Sequence, residues 1–325
     1  MNITVLGAGA WGTALAINFS SSHRVTLLAR DVNQAATMQD ARANLRYLPG
    51  CPFPEGLRIS TKPEVLNASD LILIATPVSG LRDAVLLLMR HAPAISFLWV
   101  CKGLEAKTGA LPHQMVAEMH GTVPSGVLSG PSFAQEVAHG LPTAITLAAE
   151  NPEFARKTAL ALHGSRLRIY ASDDLVGVEI AAAVKNVLAI ASGISDGLGL
   201  GLNARAALIT RGLAEITRFG MAAGAKRETF MGLAGMGDVI LTCTGDLSRN
   251  RHVGLSLAAG HTLQQATGSL GHVAEGVNTA REVIRRAAAM SIEMPICDVV
   301  CAVLDGRLTA QDAVERLMGR DPTIE

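Results

Sequence analysis

The chain has 325 residues, room for two domains of ordinary size, and its 49% hydrophobic and 17% charged content is that of a globular protein and excludes a disordered one. Lys plus Arg balances Asp plus Glu at 28 each, so the overall charge makes no case for nucleic acid or for a membrane surface. Any anionic ligand has to be met by local charges.

The first 22 residues have the length of a signal peptide, but they lack a basic start and small residues interrupt the apolar run. They read better as a strand, ITVL at 3–6, running into GAGAWG at 7–12 and a helix from about Ala10. That is the context in which G-x-G-x-x-G binds a dinucleotide. Gly7 allows the tight turn, Gly9 lets backbone approach a pyrophosphate, and Gly12 lets the helix pack on the strand. The helix start at Ala10 offers free N–H groups to the anion. The second strand, RVTLLA at 24–29, ends in Arg30 and Asp31. Arg30 suits the 2′-phosphate of NADP. Asp31 is either the ribose acid of an NAD site or the N-cap of a helix from Val32 to Asn44. The balance leans to NADP, with NAD also accepted.

Further apolar runs at 71–76, 96–100, 126–129, 143–148 and 167–171 alternate with helical stretches such as Ser79–Met89. Strands apolar on both faces and separated by helices predict a doubly wound, mostly parallel sheet: an α/β Rossmann domain over 1–174. CKG at 101–103 follows a buried strand, on the edge where such sheets bind ligands. Lys102 either faces that ligand edge or solvates a loop. SGPS at 129–132 ends another strand; it suits close approach of a ligand and equally a plain turn.

After residue 174 the strand signals stop, and 175–325 reads as an all-α domain with helices near 175–193, 203–223, 252–259, 278–290, 295–304 and 310–318. Asn278 and Thr309 have the chemistry of N-caps, and Thr309 with Asp312 resembles a capping box. No stretch of 18 apolar residues occurs; the nearest, around 180–200, is interrupted by Lys185, Asn186 and Asp196, so no transmembrane segment is expected. Within it Lys185 has Ala181, Ala182, Leu188 and Ala189 one turn away and no acid among them. Such a lysine snorkels to water, finds a distant partner, or gives up its proton readily. GLAGMGDVILTCTGDLSRNRHVG at 232–254 reads as a long irregular segment. Its Ser248, Arg249 and Asn250 make either a phosphate site or a solvated basic loop. The nine histidines and five cysteines form no ligand set, which predicts no metal and reduced cysteines.

Taken together, GAGAWGTALA, CKGLE, LSGPSFAQEV, AAAVKNVLAIASGISDGL, GLAGMGDVILTCTGDLSRN and GHVAEGV resemble, in order and spacing, the bacterial NAD(P)-dependent glycerol-3-phosphate dehydrogenases. The resemblance implies a cytoplasmic oxidoreductase that interconverts dihydroxyacetone phosphate and glycerol 3-phosphate, for phospholipid synthesis. It implies Lys185 as the catalytic lysine. It implies Lys102, Gly130, Ser132, Asp238, Ser248, Arg249 and Asn250 as substrate-binding residues. Trp11, Arg30, Lys102, Ala134, Arg249, Val273 and Glu275 match cofactor-contacting positions. Tyr47 matches one as well, although its segment NLRYLPG departs from the commoner wording. Asn186 and Asp238 are expected to orient the Lys185 ammonium and the reacting oxygen. The partner is a small phosphorylated molecule, and a homodimer is compatible with the reading. A related reductase acting on a carboxylate substrate would lack the LSRN segment, and a non-catalytic NAD(P)H-binding protein would not need Lys185, Asp238 and Arg249 together.

Overall fold

The computed structural model describes residues 1–121, 123–268 and 274–319, and the chain divides into two compact units. The first comprises Met1–Lys102 and Leu111–Val178; the second comprises Gly103–Ala110 and the chain from Glu179 onward.

Apolar runs and helices alternate through the first unit: β1 (Asn2–Leu6), α1 (Ala10–Phe19), β2 (Arg24–Leu28), α2 (Val32–Ala41), β3 (Arg58–Ser60), β4 (Leu71–Ile74), α3 (Leu81–His91), β5 (Phe97–Trp99), α4 (Pro112–His120), β6 (Ser125–Ser129), α5 (Ala134–Ala138), β7 (Thr143–Ala148), α6 (Pro152–Leu162) and β8 (Leu167–Ser172). They form one eight-stranded sheet in the order β3-β2-β1-β4-β5-β6-β7-β8. The strands from β3 to β6 are parallel, with Leu6 opposite Leu28 and Ile74, and Trp99 opposite Ile74 and Val127. Their carboxyl ends therefore share one edge, and the strand order reverses between β1 and β4, where doubly wound sheets bind ligands. Val5, Leu27, Leu73 and Leu98 are fully buried, as expected of strands covered on both faces. Two details differ from the sequence reading. Strand β3 has only Ile59 as an apolar residue and gives no strand signal. Strand β7 runs antiparallel to β6 while β8 is parallel to β7, a direction that residue pattern does not encode.

Helices build the second unit: α7 (Leu175–Gly197), which starts at the end of the first unit, α8 (Gly201–Ala222), α9 (Arg227–Met231), a π-helical turn (Leu233–Gly237), α10 (Asp238–Thr244), α11 (Arg249–Ala258), α12 (Leu263–Gly268), α13 (Glu275–Ala289), α14 (Pro295–Leu304) and α15 (Ala310–Met318). Helix α7 is long and apolar enough to cross a membrane, but 94% of that stretch is buried, so it is the core helix of this unit. Residues 103–110 group here because the Lys107 N–H donates to Glu282 Oε1 at 2.8 Å and Arg286 Nη1 to the Gly109 carbonyl at 2.9 Å.

The expected irregular segment at 232–254 is mostly helical. Its glycines serve packing: the Gly237 N–H reaches back five residues to the Gly232 carbonyl at 3.1 Å, and a Cβ on Gly235 would collide with the Phe230 backbone. Asn278 is not an N-cap. Helix α13 starts three residues earlier, at Glu275, and Asn278 is an exposed residue of its first turns. Thr309 does cap α15, with the reciprocal Asp312 contact.

Candidate active site

Five segments with chemical character leave the shared carboxyl edge of the sheet, after β1, β2, β4, β5 and β6. The first is the loop after β1. Gly7 has φ of +121°, and a Cβ there would lie 2.7 Å from the Ala75 carbonyl oxygen. A Cβ on Gly12 would strike the Gly7 carbonyl, so that glycine is required for α1 to sit on the strand. A Cβ on Gly9 would meet nothing within 4 Å. Gly9 is also the N-cap of α1, with no side chain capping the helix and no acid in its first turn. An open, uncapped helix start is what a pyrophosphate requires. Ala10, Trp11 and Ala134 all pack on the core of this unit, and α1 lies against α5. Among the described residues, five buried side-chain polar atoms have no protein partner, and three of them belong to this edge: Trp11 Nε1, Thr76 Oγ1 after β4, and Ser129 Oγ at the end of β6. Native interiors leave few such atoms, so this edge fits a polar ligand such as a dinucleotide.

Arg30 follows β2 and is exposed. Asp31 serves as the N-cap of α2: its Oδ1 accepts the Asn33 and Gln34 N–H groups at 2.8 and 3.1 Å. Tyr47 is half-buried in the turn after α2, with the Arg46 guanidinium 5.0 Å from its ring centre. Lys102 follows β5, and its Nζ donates to the Gly130 carbonyl at 3.2 Å. Ser132 Oγ donates to the same oxygen at 2.9 Å. Gly130 has φ of +137°, and a Cβ there would come within 3.0 Å of Ile145 Cα, so the turn needs glycine. Three predicted substrate residues, Lys102, Gly130 and Ser132, thus converge on one carbonyl.

In the second unit Lys185 has found a distant partner. It is 6% exposed, and its Nζ lies 2.7 Å from Asp238 Oδ1 and 2.7 Å from Thr242 Oγ1. Asp238 is 1% exposed and opens α10, directly after the π-helical turn; Thr242, one turn later, gives its own proton to the Asp238 carbonyl at 2.6 Å. Snorkelling is excluded, because the ammonium is sequestered from water. Thr242 was not among the residues expected at the site; its only signal is its i+4 spacing from Asp238. The nearby Cys243 thiol is pushed up to about 12, first by burial, so it stays a protonated neutral neighbour.

Asn186, expected to help orient that ammonium, gives its amide to the Ala182 carbonyl at 3.4 Å, and its Oδ1 accepts from Asn250 Nδ2 at 3.0 Å. Asn250 Oδ1 in turn accepts the Gly276 N–H at 3.1 Å. This chain of amides joins α7, α11 and α13 beside Lys185. Helices α7 and α11 also cross at paired glycines, Gly193 and Gly254, where any side chain would strike backbone. Ser248 is the N-cap of α11 and accepts the Arg251 N–H at 3.3 Å. Arg249, the first residue of α11, is exposed, and no acid stands in that first turn. Glu275 is half-buried at the start of α13, and Val273 lies outside the described residues. Among the described residues no three His, Cys, Asp or Glu side chains cluster as metal ligands do.

This geometry can be set beside known proteins. Residues 2–155 match the family described as NAD-dependent glycerol-3-phosphate dehydrogenase N-terminus, and residues 174–315 match NAD-dependent glycerol-3-phosphate dehydrogenase C-terminus. The chain is similar to a protein named glycerol-3-phosphate dehydrogenase NAD(P)+ from Dechloromonas aromatica, 61% identical over 100% of this chain and 99% of the relative. A protein of the same name from Aromatoleum aromaticum is 58% identical over 100% of both chains. A crystal structure of glycerol-3-phosphate dehydrogenase from Coxiella burnetii superposes with a TM-score of 0.94 at 43% identity, covering 98% of this chain and 99% of that one.

Proposed function

The chain belongs to the NAD-dependent glycerol-3-phosphate dehydrogenases, and from that premise we infer which of its residues carry the reaction. It is an oxidoreductase that interconverts dihydroxyacetone phosphate and sn-glycerol 3-phosphate and depends on NAD(P). The observation that carries the assignment of roles is the buried Lys185 ammonium, 2.7 Å from both Asp238 and Thr242.

Lys185 is the general acid. Its ammonium donates a proton to the substrate's C2 oxygen as the ketone is reduced, and its amine takes that proton back when the alcohol is oxidised. Asp238 and Thr242 fix where Nζ points. The bound nicotinamide supplies the hydride. The glycine loop, with Gly7, Gly9, Ala10, Trp11 and Gly12, holds the dinucleotide, aided by Tyr47, Ala134, Val273 and Glu275. Arg30 reads the 2′-phosphate, so NADPH is the preferred cofactor and NADH is accepted.

The substrate phosphate goes to Arg249, Ser248 and Asn250 at the start of α11, where the guanidinium and an acid-free helix N-terminus both favour an anion. Lys102, Gly130 and Ser132 serve the substrate as well. The enzyme works in the cytoplasm and supplies glycerol 3-phosphate for phospholipid synthesis. The test is a spectrophotometric assay of dihydroxyacetone phosphate with NADPH and with NADH, beside a 2-ketoacid control. Turnover is expected with the phosphate substrate and a higher kcat/KM with NADPH. Turnover of the ketoacid alone would overturn the reading.

A further inference from the structure

The glycine loop is held from behind by two side-chain amides. Gln34 Nε2, on α2, donates to the Ala8 carbonyl at 2.9 Å, and Asn44 Nδ2, from the turn after α2, donates to the same oxygen at 3.0 Å. Asn44 is 1% exposed and its amide is fully engaged. Its Nδ2 also donates to Thr13 Oγ1 of α1 at 2.8 Å, and its Oδ1 accepts the Tyr47 N–H at 3.1 Å.

The Ala8 carbonyl and the Gly9 N–H belong to one peptide group, which is trans, so they point in opposite directions. Two donors on the carbonyl fix the plane of that peptide and aim the Gly9 N–H away from Gln34 and Asn44. They also polarise the peptide, which makes the N–H a stronger donor to an anion. The residue so presented is the one whose Cβ position is unfilled.

We propose that Asn44 and Gln34 are positioning residues for the dinucleotide: they set the Ala8–Gly9 peptide so that its N–H receives the pyrophosphate, and Asn44 ties the turn bearing Tyr47 to that same peptide. The inference rests on the glycine loop being the pyrophosphate site. It assigns a function to a buried asparagine and a half-buried glutamine that act through the Ala8–Gly9 peptide.

The experiment is titration of the full chain with NADPH and with NADH, read by nicotinamide fluorescence, without substrate. Gly9→Val tests the underlying reading first: a Cβ at that position meets nothing within 4 Å, the variant's Tm checks that it folds, and the folded variant loses NADPH if the loop holds the pyrophosphate. Asn44→Ala and Gln34→Ala are then each expected to raise Kd roughly three- to tenfold, and the double variant roughly 30-fold or more, the scale of losing one and both donors. Both cofactors are affected alike, because both carry the pyrophosphate. At saturating cofactor, the KM of Gln34→Ala for dihydroxyacetone phosphate stays within about twofold of the unmodified chain. A merely structural role would lower Tm in Asn44→Ala and leave cofactor Kd unchanged in Gln34→Ala; that result overturns the proposal, and Gln34→Ala decides it even if Asn44→Ala does not fold. If Gly9→Val binds NADPH as tightly as the unmodified chain, the loop reading falls and the inference falls with it.

Discussion

The glycine loop of the first unit and the Lys185 cluster of the second are both built to handle charge, and they do so by opposite means. The loop works by having no side chains. Gly7 and Gly12 are glycine because backbone crowds them, a Cβ on Gly9 would meet nothing, and the helix start offers main-chain N–H groups. The cluster works by side chains alone. Lys185, Asp238 and Thr242 are separated by 53 and 57 residues in sequence and meet only because α7 and α10 pack together, with the ammonium nearly out of water. The difference fits the two proposed tasks. Receiving a pyrophosphate needs space and fixed dipoles. Moving a proton needs a titratable group whose partners are placed by the whole fold, in a medium where their fields are strong.

The comparison breaks most visibly at the buried pair. Asp238→Ala removes the carboxylate and is expected to cost about 3–5 kcal/mol of stability, the scale of leaving a buried charge unpaired. Adding Lys185→Met to Asp238→Ala should restore most of that loss, because an apolar chain in the same place needs no partner. Denaturant midpoints with matched m-values measure both. A double variant no more stable than Asp238→Ala would mean that the pair is not what the carboxylate is for.

Arg249 stands between the two styles, a side-chain cation on a helix start. Arg249→Ala should reduce the preference for dihydroxyacetone phosphate over dihydroxyacetone by roughly 100-fold in kcat/KM, as expected when a charged partner is lost. An unchanged ratio would place the phosphate elsewhere. Arg30→Ala acts on the dinucleotide side and should weaken NADPH roughly tenfold while leaving NADH nearly as before. Equal loss for both would mean that Arg30 does not read the 2′-phosphate. The smallest effect is a near absence. All five cysteines are free and buried, and burial raises the Cys243 thiol to about 12, so at pH 8 it is protonated and shielded. The native protein should show no fast-reacting Cys243 toward a disulfide reagent at that pH, and rapid labelling located on Cys243 by peptide mapping would show the Lys185 surroundings to be open.

The loop was the more legible of the two regions, for a physical reason. Its requirements are local: a strand, glycines at fixed offsets, and a helix, all inside the first 19 residues. The apolar runs that became β1, β2 and β4–β8 were legible in the same way. The edge strand β3 was not, because three residues with one apolar side chain carry no period. The second unit hid more. Glycines at 232, 235 and 237 suggested an irregular loop, yet Gly235 lets a π turn pack on Phe230, and Asp238 follows at the head of α10. The start of α13 was misplaced because Asn278 looks like a cap, whereas Gly276 packs against the Asn186 carbonyl within the helix. Lys185 stood out in sequence for lacking a neighbouring acid. That its partner is Asp238, and that Thr242 joins them, follows from long-range packing that no spacing reveals. Asn44 and Gln34 had no signal at all, since two amides on one carbonyl are a property of the folded turn.

The central claim is that Lys185 moves the proton, and the most direct measurement is kcat for Lys185→Ala alongside its NADPH affinity and its denaturation midpoint. The account predicts a folded variant that binds NADPH nearly as the unmodified chain does, and whose kcat for dihydroxyacetone phosphate falls roughly 100- to 10,000-fold, the range of general acid–base catalysis. A folded variant with intact NADPH binding and near-normal kcat would contradict it, and would make the buried Lys185–Asp238 pair a piece of the scaffold.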